Sequence, residues 1–195
     1  MTVLVYTAMR DTIVVNDSLI NQGGVSAAGW RLYTNPVGQI RLLIYDTGNV
    51  IVTGATTGLH DNVARVYGAR RNAQSTISVW VDGVSDNSAT DTTTTTLDSG
   101  ASPLRLGYYG SGSFGDLNII AAVAYRRALS DDEMAQATYA LQGHAGFILP
   151  PFAELYVDFR DSDCYAGSGT AAADLSGNGR DGTITGTTVW MPRGG

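Results

Sequence analysis

Carboxylate pairs are the first chemistry to look for in this chain, because two acidic side chains can hydrolyse a glycosidic bond. A retaining glycosidase holds its two carboxyl groups about 5 Å apart. Glutamate occurs only at Glu133 and Glu154. Glu133 falls where a helix is predicted to begin and capping explains it, whereas Glu154 stands alone beside a proline-containing stretch. With Asp82 in a turn and Asp158 at a strand edge, the sequence predicts no catalytic pair and no enzyme activity.

Nucleophilic and zinc chemistry also lack their usual residue patterns. The chain has two histidines, His60 and His144, and one cysteine, Cys164. No Gly-x-Ser-x-Gly turn or reactive cysteine setting accompanies them, and three scattered ligands do not form a zinc pattern. A single cysteine cannot form an intramolecular disulfide, so Cys164 is predicted to be a buried free thiol.

A glycine-rich stretch near the C-terminus carries the best candidate metal ligands. Asp174, Ser176, Asn178 and Asp181 offer oxygen atoms at closely spaced positions, as calcium loops do. The stretch lacks the bidentate glutamate of an EF-hand, and ordinary turns have the same composition. The sequence predicts no cofactor, and this stretch is the one place where it allows a calcium site.

Exposed aromatic side chains are the platforms on which proteins stack sugar rings. In a strand over residues 76–81, Trp80 shares a face with threonine and serine, while the aliphatic side chains point to the other face. Trp80 is therefore one carbohydrate-binding candidate, and cover by a neighbouring loop or subunit is the alternative. Tyr108 and Tyr109, beside a glycine-serine turn, are a second candidate.

These residues must be positioned by strands, because short apolar runs alternate with turn residues along most of the chain. The predicted strands cover residues 3–9, 12–15, 30–33, 40–45, 50–53, 62–67, 76–81, 104–108, 117–125, 154–159 and 183–190. Threonine-rich residues 91–96 are predicted to be an exposed edge or loop. The predicted fold class is all-β, an antiparallel jelly-roll sandwich with one short helix on its C-terminal side and an extended C-terminal β arm.

The helix has a clear start signal. Ser130 can cap it, Glu133 occupies the capping-box position, and acidic side chains face the positive helix end. Apolar or small residues then recur at helical spacing until Gly143, at Met134, Ala137, Thr138 and Leu141. This stripe is predicted to pack against the edge of the sandwich.

A linker divides the chain into a jelly roll over residues 1–142 and a β arm over residues 153–195. The linker, residues 143–152, contains two consecutive prolines that disfavour helix. The arm places apolar side chains on one face of a short strand and ends on an aromatic residue; its assembly residues are Leu155, Val157, Phe159 and Trp190. Such an arm is too small to fold alone and must add to a sheet.

The charge composition of the chain limits the kinds of molecule that it is expected to bind. Charged residues make up 15% of the 195 residues, all 12 basic residues are arginine, and the net charge is −6. No basic field exists to hold a nucleic acid backbone, so nucleic acid binding is excluded. The apolar N-terminal run is too short for a membrane span or signal peptide, and no membrane association is expected.

Several motifs together resemble a known family. They are the Val-Asp-Gly turn at 81–83, the Leu-Gly strand at 106–107, the Phe-Gly turn at 114–115 and the helix start at 127–133, followed by Asp174 to Gly182 in the arm. This set is similar to the laminin-G-like domains of the concanavalin A-like lectin and glucanase superfamily. The opening strands of that domain stand at the C-terminus here. The resemblance implies that the arm lies beside the strand at 117–125, and many relatives bind calcium near a carbohydrate site.

Three arrangements explain the displaced arm: it folds back onto its own sheet, completes the sheet of a neighbouring subunit, or belongs to a truncated second module. Low charge and a sheet-completing arm favour a structural protein of a bacteriophage virion, such as a capsid decoration, fibre or tail protein. It is expected to assemble in the host cytoplasm as a homo-oligomer or with other virion proteins. The alternative is a carbohydrate-binding module of an adhesin or polysaccharide-degrading system, whose partner is a surface glycan.

Overall fold

The computed structural model describes residues 1–10, 17–23, 29–45, 48–72, 75–93, 103–109, 113–114 and 117–185. The strands within these ranges are β1 (Thr2–Met9), β2 (Ser18–Gln22), β3 (Gly29–Thr34), β4 (Ile40–Tyr45), β5 (Val50–Thr53), β6 (Ala64–Asn72), β7 (Thr76–Val81), β8 (Val84–Thr90), β9 (Leu104–Leu106), β10 (Tyr108–Tyr109), β11 (Ser113–Phe114), β12 (Leu117–Tyr125), β13 (Leu155–Asp158), β14 (Ala171–Ala172) and β15 (Gly182–Thr183). One helix, α1 (Asp131–Gln142), follows β12.

Two antiparallel sheets form the sandwich. The first sheet has the order β13-β12-β1-β6-β7-β8, and the second sheet has the order β5-β4-β3-β2-β9. The pairs β10-β11 and β14-β15 form two small hairpins. This arrangement confirms the predicted all-β, antiparallel sandwich with one short helix.

The main core fills the space between the two sheets. Alternation along each strand sends every second side chain inward, as at Leu32 and Leu42 in the second sheet and at Val5 and Val79 in the first. Trp30 and Tyr67 are the largest side chains of this core, and both are almost fully buried. Burial of such aromatic side chains contributes much of the hydrophobic stabilisation of a sandwich.

Helix α1 builds a second, smaller core on the outer face of the first sheet. Ser130 and Glu133 form the predicted capping box, and Gly143 ends the helix with φ of 79°. The buried helix residues are the four predicted ones, Met134, Ala137, Thr138 and Leu141. They cover the outer face of the first sheet rather than the edge of the sandwich, because the helix packs on the central strands β1 and β6.

The C-terminal arm lies at one edge of the first sheet. Strand β13 pairs antiparallel with β12 of the same chain, with Val157 opposite Ala122. The outer edge of β13 is covered in turn by the following loop, since Leu175 N–H donates to the carbonyl of Tyr156 at 2.8 Å. The arm therefore supplies an edge strand together with its own cover.

The two sheets are joined directly at the opposite edge, where β5 faces β8. Asp86 accepts hydrogen bonds from the backbone N–H and hydroxyl of Thr56, and Asn87 Nδ2 donates to the carbonyl of Thr53 at 2.8 Å. Gly54 permits this approach, because a Cβ at that position would meet the Asp86 carboxylate at 2.0 Å. Side chains of the first sheet thus form hydrogen bonds with the backbone at the edge of the second sheet.

Strands β2 and β8 were not predicted from the sequence. β8 is mostly exposed and polar, so it lacks the apolar alternation that marks a strand, and the Asp82-Gly83 turn with positive φ at both residues creates it as a hairpin partner of β7. The predicted strand at 12–15, residues 94–96 of the threonine-rich run and residues 186–190 of the last predicted strand lie outside the described residues. Asp91 and Thr93 are buried, contrary to the exposed run that was predicted.

Among the described residues, the structure contains no helix that is long and apolar enough to cross a membrane.

Candidate carbohydrate-binding face

The two glutamates are held in ion pairs with arginines. Glu133 receives two hydrogen bonds from the Arg127 guanidinium, at 2.6 and 2.7 Å, and these lower its pKa to about 2. Glu154 contacts Arg180 at 2.8 Å and Arg126 at 3.3 Å. Both carboxylates therefore stabilise a helix start and a loop.

His60 lies in a buried cluster that superficially resembles a nucleophile, base and acid. Its Nε2 is 2.8 Å from the Thr34 hydroxyl and 3.9 Å from the Asp17 carboxylate. A catalytic base uses one ring nitrogen for the nucleophile and the other for the orienting acid, whereas both contacts here involve Nε2. Thr34 is also fully buried, so the cluster supports the sandwich rather than a reaction.

Trp80 does not form the exposed platform that the sequence suggested. Only 4% of it is accessible, because helix α1 packs over it with Met134. Its indole N–H donates to the Ser78 hydroxyl at 2.8 Å, and the Arg70 guanidinium lies 4.8 Å from the ring centroid. The alternation correctly placed Trp80 away from the main core, but the helix covers that face and excludes a sugar.

The predicted calcium ligands are brought together as a hydrogen-bonded turn. The Asp174 carboxylate accepts bonds from the backbone N–H groups of Tyr156, Ser176 and Arg180 and from the Ser176 hydroxyl. A carboxylate has about four acceptor positions, so none remains for a cation. Burial alone would raise the pKa of Asp174, but these hydrogen bonds outweigh it and lower the pKa.

The remaining members of that stretch also have structural partners. Asp181 accepts from the backbone N–H of Asp174 at 2.9 Å, and Asn178 Nδ2 donates to the carbonyl of Ala153 at 2.8 Å. Within the described ranges, no three histidine, cysteine, aspartate or glutamate side chains converge to hold a metal ion. The stretch fastens the later part of the arm to the residues that begin it, Ala153 and Glu154.

The arm residues take the faces that the sequence predicted. Leu155, Val157 and Phe159 pack into the main core, while Tyr156 packs into the core beneath α1. Trp190 lies outside the described residues. The structure seats the arm on its own chain, so exchange between subunits and the predicted homo-oligomer stay predictions.

The outer face of the second sheet is the most distinctive polar surface of the sandwich. Its five strands contain three charged residues, and all three are arginines that point outward: Arg31, Arg41 and Arg105. Pairing aligns Arg105, Asn21 and Arg31 in one row across the sheet. The adjacent row aligns Tyr33, Arg41 and Thr53. We call this surface the arginine face.

The middle of the arginine face is buried and its two flanks are accessible. Arg31 and Tyr33 are 4% and 6% exposed, and the Arg31 guanidinium stacks 4.5 Å from the Tyr33 ring centroid. Arg41 is half-buried on the β4 side, next to exposed Ile51. Ligand sites in proteins combine apolar contacts with a few polar or charged groups in this way.

The other flank carries one of the predicted tyrosines. Tyr108 is half-buried, and the exposed Arg105 guanidinium lies 5.6 Å from its ring centroid. Asn21 Nδ2 donates to the Tyr108 carbonyl and fixes β10 at this end of the sheet. Tyr109 belongs to β10, but its side chain lies outside the described part of the structure.

Sequence reasoning missed the arginine face, although one signal for it was present. Each arginine interrupts an otherwise apolar strand at a position that alternation directs outward. The strands come from distant parts of the chain, however, and only the pairing register shows that the three side chains share a surface.

The comparisons with known proteins concern the fold. No protein family model and no curated protein matches the sequence. The chain is similar to the solved CBM40 domain of the Ruminococcus gnavus IT-sialidase bound to α2,3-sialyllactose, with a TM-score of 0.54, 15% identity, and coverage of 70% of this chain and 82% of that chain.

Two further solved structures extend the likeness. A putative carbohydrate-binding protein from Bacteroides ovatus has a TM-score of 0.73 and 12% identity, covering 99% of this chain and 54% of that chain. Domains LG4-5 of the mouse laminin α1 chain have a TM-score of 0.50 and 16% identity, covering 67% of this chain and 37% of that chain. At these identities the likeness establishes the fold, and the chain has the fold of laminin-G-like and lectin-like β-sandwich domains.

Proposed function

We propose that this protein is a non-catalytic carbohydrate-binding module. The observation that carries the proposal is the arginine face, whose two accessible flanks offer cationic, hydroxyl and apolar groups: Arg41, Thr53 and Ile51 on one flank, and Arg105 with Tyr108 on the other. Support comes from the fold, which the chain shares with a carbohydrate-binding module and a putative carbohydrate-binding protein. A fold alone does not assign a function, so the proposal depends mainly on the arginine face.

A binding role is favoured over catalysis by the state of the acidic residues. Both glutamates are engaged by arginines, and the buried His60 cluster lacks the two-sided geometry of a catalytic base. A module that binds without reacting needs no such groups. Hydrolytic activity of the purified chain on a glycan would contradict this part of the proposal.

The virion role predicted from the sequence depends in part on the sheet-completing arm. The arm occupies the edge of its own sheet in the structure, which removes the need for a neighbouring subunit as its acceptor. Carbohydrate binding therefore replaces particle assembly as the preferred function. Location in a virion stays a prediction.

A glycan array with the purified protein tests the proposal directly. We expect saturable binding to at least one glycan, and titration calorimetry with that glycan should give one site per chain. Absence of binding across neutral and acidic glycans would refute the proposal.

Two matched tyrosine variants locate the site. Tyr108 belongs to the arginine face, whereas Tyr139 is 41% exposed on helix α1, which covers the other sheet. We expect Tyr108→Ala to weaken glycan binding about five-fold, because a stacked aromatic ring is worth roughly 1 kcal/mol. Tyr139→Ala should leave it unchanged, and the reverse result would place the site on the helix.

A further inference from the structure

We propose that the arginine face binds the anionic group of an acidic saccharide, a carboxylate or a sulfate, at Arg41. The inference rests on the proposed function and specifies its ligand class. Three observations support it: the burial and hydrogen bonding of Arg41, the side chains around Arg41, and the distribution of charged residues over the two sheets.

Arg41 differs from the arginines outside the second sheet. Its Nε atom is buried and, within the part of the chain that the structure describes, has no hydrogen-bond partner. A buried donor of a charged group without an acceptor is costly, so such groups are normally paired. The residue as a whole is half-buried, so part of its side chain is accessible to an incoming acceptor.

Most of the described arginines outside this sheet form ion pairs with carboxylates. Seven of them lie within 4.0 Å of a carboxylate oxygen: Arg65, Arg70, Arg71, Arg126, Arg127, Arg160 and Arg180. The strands of the second sheet contain no aspartate or glutamate that could do the same for Arg41. The chain has 18 acidic residues and a net charge of −6, so a set of strands that carries arginines and no acidic residue is a local exception.

The side chains next to Arg41 can contact an anionic group that is attached to a sugar. Tyr33 and Thr53 lie directly opposite it on the two adjacent strands. Arg31, stacked on Tyr33, lies one row away at a diagonal distance of about 7–8 Å. Guanidinium groups present paired donors that match a carboxylate or sulfate.

The surroundings also distinguish a saccharide from a bare ion or a polyanion. Ile51 is 48% exposed in the row beside Arg41, and Leu43 is half-buried in the same row, so the site offers apolar contact to the CH groups of a sugar ring. A nucleic acid would meet the repulsion of the net negative chain beyond this small face. A saccharide with one acidic group places its charge on Arg41 and the rest of its ring on the aliphatic side chains.

The test compares 3′-sialyllactose with lactose by titration calorimetry, because the two differ by one carboxylate-bearing sugar. We expect sialyllactose to bind at least about ten-fold more tightly, since a charged hydrogen bond contributes enough for roughly a ten-fold to hundred-fold change. Lactose 3′-sulfate serves as the second arm. Preference for it over sialyllactose assigns the site to sulfated sugars, and the opposite preference assigns it to carboxylated ones.

Three variants assign the effect to Arg41. Arg41→Gln should remove the preference for the acidic sugar, whereas Arg126→Gln removes the same charge from a side chain that is 61% exposed elsewhere and should preserve it. Arg41→Lys keeps the charge without the planar pair of donors, so only part of the affinity should return. Thermal melting of each variant confirms that it is folded.

The outcomes separate this inference from the proposed function. Equal affinity for lactose, sialyllactose and lactose 3′-sulfate, or an Arg41→Gln variant that keeps its preference for an acidic sugar, would overturn the acidic ligand while carbohydrate binding stands. Binding of neutral glycans alone would do the same. Failure to bind any saccharide, neutral or acidic, would remove both.

Discussion

The buried ion pair between Arg71 and Asp91 gives the sharpest test of what holds the first sheet together. Its two side chains are 5% and 0% exposed, and Arg71 Nε donates to Asp91 Oδ2 at 2.6 Å. Arg71 Nη2 also donates to the Thr93 hydroxyl at 2.8 Å, and Asp91 accepts from the backbone N–H of Thr93 at 3.0 Å. The network ties β6 to the chain that leaves β8.

Asp91→Asn replaces one charged acceptor oxygen with an NH₂ group that opposes the guanidinium donors. Removing one partner of a buried pair costs about 3–5 kcal/mol, and we expect the lower end because one oxygen remains. For a chain of this size each kcal/mol lowers Tm by roughly 2–4 °C, so Tm should fall by about 6–12 °C. Urea unfolding followed by tryptophan fluorescence measures the free energy directly.

Two controls decide whether burial is the cause. Asp61→Asn breaks the Arg65 pair, whose side chains are 21% and 39% exposed, and should cost less than about 1 kcal/mol. Arg71→Met combined with Asp91→Leu replaces the buried pair by apolar side chains and should recover most of the loss. A cost for Asp91→Asn no larger than that for Asp61→Asn would refute the reasoning.

The same pair predicts the acid stability of the protein. Burial alone would raise the pKa of Asp91, but hydrogen bonds from Thr93 and Arg71 outweigh it and lower the pKa. A carboxyl group with a depressed pKa stabilises the fold fully above its unfolded pKa of about 4, and this contribution is lost as pH falls through the folded value. The stability difference between the native protein and Asp91→Asn should therefore shrink as the pH is lowered below about 4.

Two further predictions concern buried side chains. Trp80→Ala should cost about 3–5 kcal/mol in urea unfolding, because the indole fills the core beneath α1; a cost below about 1 kcal/mol would contradict its burial. Cys164 is 3% exposed and desolvation raises its pKa, so its thiol should react with Ellman's reagent slowly in the native protein and fully in urea. Equal rates in both conditions would contradict that placement.

Local signals in the sequence predicted much of the fold. The capping box at Ser130 and the glycine at 143 marked the helix within a residue of its observed ends, because capping depends on a few adjacent residues. Apolar alternation marked most strands of the two sheets. It missed β8, whose side chains are largely exposed, because the strand is held by its hairpin turn rather than by burial.

The candidate site depended on long-range pairing and was not predictable in the same way. Trp80 was placed on the correct face of its strand, but the helix that covers it begins 51 residues later in the chain. Arg31, Arg41 and Arg105 meet only through the pairing of β9, β2, β3 and β4. Composition suggested calcium near Asp174, yet backbone N–H groups take up the oxygen atoms that a cation would need.

The hydrogen bonds at Asp86 and Asn87 have a mechanical consequence. They fasten β8 of the first sheet to the backbone beside β5 of the second, whereas β13 and β9 stand at the opposite ends of their sheets. If one sheet rotates slightly against the other, these hydrogen bonds make the fastened edge the axis of that rotation. The arm and the Tyr108 flank of the arginine face lie at the sheet edges farthest from that axis.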